Sequence, residues 1–287
     1  MSRDKSELLQ ISGRFETEGE MEHIESHGNG HINDTFLLTC RGASGEQVRY
    51  ILQRMNHEVF KDPEGLMENI AGVTAFLQKK IAENGGDPRR EALNVIPVKG
   101  GGSYWKEADG TFWRMYRFVE DAVSYDVVER PEDFYESALA FGHFQKLLAD
   151  YPADSLHETI PNFHNTVDRL NNFKKAAEAD PLGRASEVAE EIRFVLDREE
   201  DCHVLCDLLA SGEIPLRVTH NDTKLNNIML DQITRKGICV IDLDTVMPGS
   251  ALYDYGDSIR FGANTGAEDE KDLSKVSCCL LYTSPSP

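Results

Sequence analysis

Basic residues are scarce in this 287-residue chain: 30 lysines and arginines stand against 50 aspartates and glutamates, a formal net charge of −20. Such a surface repels phosphate backbones and anionic lipid heads, which argues against nucleic-acid and membrane partners. An acidic chain still binds a nucleotide where local amides, a lysine and a divalent cation offset the charge within the site. Long apolar runs are missing too. No stretch approaches the roughly eighteen apolar residues of a membrane span. The N-terminus, MSRDKSELLQISGRF, has no apolar core of signal-peptide length, so the expected compartment is the cytoplasm. Cysteine is sparse and unpatterned. The six, Cys40, Cys202, Cys206, Cys239, Cys278 and Cys279, form no C-x-x-C pair and no zinc-type spacing with histidine, which makes a reducing compartment the simplest reading. There is no internal repeat and no long low-complexity linker. What remains is a globular chain of one large domain or two ordinary ones.

The first third reads as strands around one helix. Residues 32–40 (INDTFLLTC) and 48–55 (VRYILQRM) are apolar-rich runs joined by RGASGEQ, which predicts an antiparallel pair. Pro63 follows Asp62 at a helix start, and Leu66, Ile70, Val73, Phe76, Leu77 and Ile81 recur at helical spacing until Asn84-Gly85-Gly86 ends the run. Short strands are expected at 95–98, 103–106 and 112–119, broken by Gly100-Gly101-Gly102 and Asp109-Gly110. The texture then changes near Glu120. Helical periodicity marks 131–148, 163–177 and 186–209, and three short β-type runs, LRVTH, NIML and ICVIDL, follow from residue 216. The expected fold class is α+β, with an N-terminal lobe over 1–119 and a C-terminal lobe over 120–275. Residues 276–287 (VSCCLLYTSPSP) show no periodicity and read as a non-native or disordered tail.

Polar residues crowd into THNDTKLNNIML, residues 219–230, which holds His220, Asp222, Lys224 and Asn227. The strand that follows, GICVIDLDTVMPG, carries Asp242 and Asp244 two apart, so on an extended segment their carboxylates share a side. Like charges held together at the end of a buried run call for a divalent cation, and oxygen ligands suit magnesium better than zinc. Asn227 adds an amide oxygen to that set. Asp222 then suits the acceptance of a hydroxyl proton, and Lys224 the delivery of positive charge to a transferring phosphoryl group. Asp244 either touches a second metal or caps the turn before Pro248-Gly249. Asp254 and Asp257, three apart, fit a helix N-terminal turn first and a brace for the polar loop second.

The pattern H-x-D-x-K-x-x-N, then a strand ending in aspartate, resembles the catalytic and metal-binding loops of protein kinases and of the aminoglycoside phosphotransferase superfamily. HNDTKLNNIML, VIDLDTVMPGSALYDYGDSIRF and GNGHINDTFLL are similar in detail to the N-acetylhexosamine 1-kinase branch, over about residues 20 to 262. The resemblance implies a bilobal protein-kinase-like fold, with a small antiparallel-sheet N-lobe carrying one main helix and a mostly helical C-lobe. It implies ATP between the lobes, its adenine against Phe118, Val119 and Glu120 and its phosphates beneath the turn that holds Gly30, His31 and Asn33. Magnesium (Mg2+) would be held by Asn227 and Asp242, with Asp244 beside them, and His220 would brace the loop. The implied partners are ATP and a small hydroxylated acceptor, an amino sugar phosphorylated on its anomeric hydroxyl, with another small alcohol or an aminoglycoside-like acceptor as the alternative.

Departures from the pattern are informative. The strand before the first helix reads YILQRMN, so Gln53 or Arg54 stands where a kinase has lysine; Arg54 suits bidentate phosphate contacts, with Glu68 as a helix partner. The absence of D-F-G and A-P-E segments disfavours a protein substrate. The passage GANTGAEDEKDLSKV replaces further helices, and the ending reads as truncated or misassembled. Two other functions stay open: a metal-dependent hydrolase using Asp222, Asp242 and Asp244, and a catalytically inactive nucleotide-binding fold. Retention of Asp222 argues against the second, and the first leaves the N-terminal sheet without a purpose.

Overall fold

The computed structural model describes residues 3–28, 32–126, 128, 130–264, 266 and 270–276. The N-terminal part runs through α1 (Lys5–Ser12), β1 (Glu20–Ser26), β2 (Asp34–Arg41), β3 (Gln47–Met55), α2 (Pro63–Glu83), the short α3 (Pro88–Glu91), β4 (Trp105–Lys106) and β5 (Phe112–Arg117). Its strands make one five-stranded antiparallel sheet in the order β1-β2-β3-β5-β4. Register puts Thr35 opposite Gln53 and Gln53 opposite Arg114. Because strand side chains alternate, the sheet sorts its residues onto two faces. Tyr50, Leu52, Trp113 and Met115 pack outward with Leu8, Ile11 and Phe15, whereas Met55, Phe112 and Tyr116 pack inward with α2.

Local chemistry explains α2. The Asp62 carboxylate accepts from the Gly65 N–H at 3.0 Å and Pro63 occupies the first turn. Leu66, Ile70, Val73, Leu77 and Ile81 are buried along one stripe, each contributing ~1.5–3 kcal/mol by leaving water. The helix closes at Asn84, and Gly85 takes the positive φ of +79° that turns the chain away.

The C-terminal part contains β6 (Ala122–Val123), α4 (Pro131–Leu147), α5 (Thr166–Ala179), α6 (Ala189–Leu196), α7 (Glu199–Ser211), β7 (Arg217–Thr219), β8 (Ile228–Asp231), β9 (Gly237–Val240), β10 (Met247–Gly249) and α8 (Ala251–Ala263). β6, β8 and β9 form one small sheet, and β7 pairs with β10. The inward cluster of the first sheet continues through Val119, Ala122, Phe144, Leu147, Val218, Cys239, Leu243 and Val246. One apolar core therefore joins the two lobes beneath the segment that carries Asp242.

The single helix expected over 186–209 is two, α6 and α7. Arg198 ends the first: its guanidinium donates to the Phe194 carbonyl at 2.9 Å and lies 3.5 Å above the Phe194 ring. Neither α1 nor β1 was expected. β1 buries only Ile24 of its seven residues, so its sequence carries no alternation to read. Apart from Val276, the expected tail lies outside the described residues. Among the described residues no helix is long and apolar enough to cross a membrane.

Candidate active site

The polar loop lies between β7 and β8, and its backbone is held from beneath. His220 is fully buried between Phe141 and Phe144, whose ring centroids lie 5.2 and 6.0 Å away. Its Nε2 is 2.9 Å from the Ile241 carbonyl oxygen and its Nδ1 is 3.3 Å from the Asp222 N–H nitrogen. A carbonyl only accepts and an N–H only donates, so this geometry fits the neutral tautomer with its proton on Nε2. Asp254, on the first turn of α8, accepts from the His220 N–H at 3.0 Å, the Asn221 N–H at 2.7 Å and Gln145 Nε2 at 2.9 Å. Asp257 accepts from the Thr223 N–H at 2.7 Å. The helix-capping reading of Asp254 and Asp257 is thus corrected. Ser250 is the cap of α8, and the two aspartates face loop N–H groups that no strand partner takes.

Above this brace stand the polar side chains singled out in the sequence. Lys224 Nζ lies 3.0 Å from Asp222 Oδ1, and Asn227 Nδ2 donates to Asp222 Oδ2 at 3.0 Å and to the Asp222 carbonyl at 2.8 Å. The Asn227 amide oxygen accepts no hydrogen bond among the described residues. The Ile241 N–H donates to the Asn227 carbonyl at 2.9 Å, which brings Asp242 beside Asn227. Asp242 adopts a left-handed φ of +55°, a sparsely populated conformation for a residue with a side chain. Burial, and then the carboxylate of Asp244, push Asp242 up to about 6 against the opposing charge of Arg114. The residue's surface is nevertheless open to solvent, so charge crowding is the firmer of the two causes. An exposed, crowded carboxylate next to an unused amide oxygen fits magnesium, which takes few protein ligands and completes its shell with phosphate and water.

A family model described as the phosphotransferase enzyme family matches residues 23–278. The chain belongs to that family. Among solved structures, it is similar to an aminoglycoside phosphotransferase from Alicyclobacillus acidocaldarius subsp. acidocaldarius at 14% identity and TM-score 0.55, covering 88% of this chain and 70% of that one. The GDP complex of aminoglycoside 2′-phosphotransferase-IIIa matches at 12% identity and TM-score 0.54, covering 90% and 79%. Amicoumacin kinase, in complex with AMP-PNP, Ca2+ and a molecule abbreviated Ami, matches at 12% identity and TM-score 0.55, covering 90% and 69%. These likenesses show the fold, which is bilobal and protein-kinase-like.

The remaining expected residues of this phosphotransferase-family chain fall into distinct places. Gly30 and His31 lie outside the described residues. Asn33 follows them and reaches Asp244, its Nδ2 donating to Oδ2 at 2.7 Å. Arg54 shares the outer face of β3 with Tyr50 and Leu52 and pairs with Asp34, and Glu68 pairs instead with His157 at 2.7 Å. The strand alternation that places Arg54 outward places Gln53 inward, so Arg54 does not supply the inner cation. Arg114 on β5 does. It is buried, forks onto both oxygens of Asp244 and donates from Nε to Gln53 Oε1 at 2.9 Å. Reading the sequence overlooked Arg114, though an arginine inside FWRMYR signals a buried charge in need of a carboxylate.

The connecting segment is also arranged. Phe118 donates its N–H to the Arg49 carbonyl at 3.0 Å, and its ring packs under the Arg49 guanidinium at 4.2 Å. Arg49 in turn pairs with Glu120. Val119 is buried in the shared core. Among the described residues the N–H groups of Val119 and Glu120 have no protein acceptor. Cys40 and Cys239 are buried, and their thiols are pushed up to about 11 and about 12 chiefly by that burial, so neither offers a thiolate.

Proposed function

We propose that this chain transfers the terminal phosphoryl group of ATP to a hydroxyl of a small molecule, with Asp222 and Lys224 as its catalytic residues. The observation that carries the reading is the joint placement of Asp222, Lys224, Asn227 and Asp242, tied together by the Ile241 to Asn227 backbone bond. Asp222 receives an acceptor hydroxyl and takes its proton as the oxygen attacks the terminal phosphorus, whose bond to the bridging oxygen breaks so that ADP leaves. Asn227 orients that carboxylate through Nδ2, and Lys224 supplies charge at the transferring group. Asn227 Oδ1 and Asp242 would hold magnesium, which when bound neutralises phosphate charge. The unpaired N–H groups of Val119 and Glu120 suit the edge of an adenine, beside the Phe118 ring. Asn33, next to Gly30 and His31, would lie at the phosphates.

For the acceptor we infer an N-acetylhexosamine, phosphorylated on its anomeric hydroxyl; the motif similarity of residues 220–230 and 240–261 supports this. The expected compartment is the cytoplasm. Incubating the chain with Mg-ATP and a panel of N-acetylhexosamines, other hexoses and aminoglycosides, then measuring phosphorylated product, tests the reading. Product with one sugar class and little phosphate release without acceptor supports it. Phosphate release that is independent of every acceptor would instead favour a hydrolase.

A further inference from the structure

We propose that Asp244, Arg114 and Asn33 form a clamp between the lobes that fixes Asn33, just before β2, relative to Asp242, which makes them positioning residues for the nucleotide. The proposal rests on the phosphotransferase reading above. Three observations carry it. First, the side-chain partners of Asp244 come from the N-terminal lobe: Arg114, 130 positions away, and Asn33, 211 positions away. Secondly, the pair is sealed, with side-chain exposures of 2% for Arg114 and 6% for Asp244. Thirdly, both partners are themselves fixed. Arg114 Nε donates to Gln53, whose Nε2 donates to Thr35 at 3.0 Å, and Asn33 Oδ1 accepts the Asn56 N–H at 3.0 Å.

A buried ion pair contributes little net stability, because dehydrating both ions offsets their attraction. An apolar pair would hold the lobes together as well. What the fork adds is direction: two parallel N–H donors on one carboxylate fix its orientation, and Asn33 is tied to the same oxygen at 2.7 Å. Asp242 lies two residues before Asp244. The position of Asn33 is thereby set against the segment proposed to hold magnesium. The same contact answers the alternatives for Asp244. A second cation there would sit against a guanidinium of like sign, so Asp244 is a clamp and not a metal ligand.

Replacing Asp244 alone would strand the buried Arg114 charge and risk unfolding. The informative variants are therefore Arg114→Met with Asp244→Leu, which replaces the pair by apolar volume, and Asn33→Ala, which cuts one arm. Both should keep the circular dichroism of the parent. Hydrogen exchange at the Asn56 amide should accelerate in Asn33→Ala and in the double variant without any nucleotide present. Calorimetric affinity for magnesium with a non-hydrolysable ATP analogue should fall on the order of tenfold in the double variant. With an acceptor from the sugar panel, the KM for ATP should rise more than kcat falls. Unchanged Asn56 exchange in both variants overturns the clamp, and parent-like analogue affinity in both overturns its positioning role. Two Mn2+ bound per chain with the analogue, one of them lost in the double variant, would also overturn it. Failure of the parent chain to bind the analogue counts against the phosphotransferase reading alone, and the exchange measurement still decides the clamp. Should the double variant unfold, Asn33→Ala carries both readouts.

Discussion

Asp222 is held at 3.0 Å by both Lys224 and Asn227, so its replacement should separate chemistry from binding. Asp222→Asn is expected to retain Mg-ATP affinity in calorimetry while turnover falls by a factor on the order of 10² or more. Asp242→Ala and Asn227→Ala should differ in kind. Loss of the charged carboxylate should abolish magnesium-dependent nucleotide binding, whereas loss of the amide should weaken it less and lower turnover as well, because Asn227 Nδ2 also orients Asp222. Equal binding losses with unchanged turnover in Asn227→Ala would contradict this division. The grouping of these residues, though not their proposed roles, was legible in the sequence because turn chemistry does not demand their offsets. Arg114 was not, since its meaning lies in a carboxylate 130 positions away that only the packing of the first sheet against the segment after β9 brings near. Asp254 and Asp257 were misread for a related reason: their acceptor role depends on which loop N–H groups face α8, and spacing alone does not contain that.

Elements with a strong apolar period, α2 and α4, appeared where the sequence placed them, whereas β1 and the break between α6 and α7 did not. Neither α6 nor α7 has a fully buried residue, so their boundary is set by the local contact of Arg198 with Phe194 and not by a packing face. The brace from α8 to the catalytic loop gives an element-scale test. Asp254→Ala leaves two buried backbone N–H groups without their acceptor, at ~1–3 kcal/mol each, so thermal stability and turnover should drop together. A rescue of turnover without recovery of stability on Asp254→Asn would show that the loop is held by something else. At the other end, α4 is pinned by Asp133, which accepts from Arg235 at 3.0 and 2.7 Å. Burial raises the Asp133 carboxyl, but the hydrogen bonds from Arg235 and Arg130 prevail and hold it below its ordinary value of 3.8. A carboxyl lowered in the folded state stabilises above that ordinary value, and the contribution is lost as pH falls through the lower folded one. Asp133→Asn should therefore be less stable at neutral pH, yet lose less of its remaining stability than the parent between about pH 4 and pH 2. Parallel acid-unfolding profiles would remove Asp133 from that account.

At the scale of the whole molecule, a net charge of −20 sets how the fold responds to its solution. Raising sodium chloride from low concentration should increase the unfolding midpoint by screening self-repulsion, within a Debye length of about 10 Å at 0.1 M. Magnesium with an ATP analogue should add further stabilisation, about 2.7 kcal/mol at a hundredfold excess over Kd, and a chelator should remove it. A thermal shift with the analogue that survives chelation would count against magnesium at Asn227 and Asp242. The α+β class was legible because it follows from composition and period, and the bilobal fold through the resemblance of the motifs, while the joining of the lobes through Asp244 was not, because it links residues far apart in the chain. The brace beneath the catalytic loop also has an order in time. Thr223 and Asp257 are 34 positions apart, and a ribosome adding roughly 5–20 residues per second makes the loop on the order of seconds before the carboxylates that receive its N–H groups. A nascent chain thus holds every proposed catalytic side chain before the loop that carries them is braced, and the proposed activity becomes attainable only when α8 has been made and has docked.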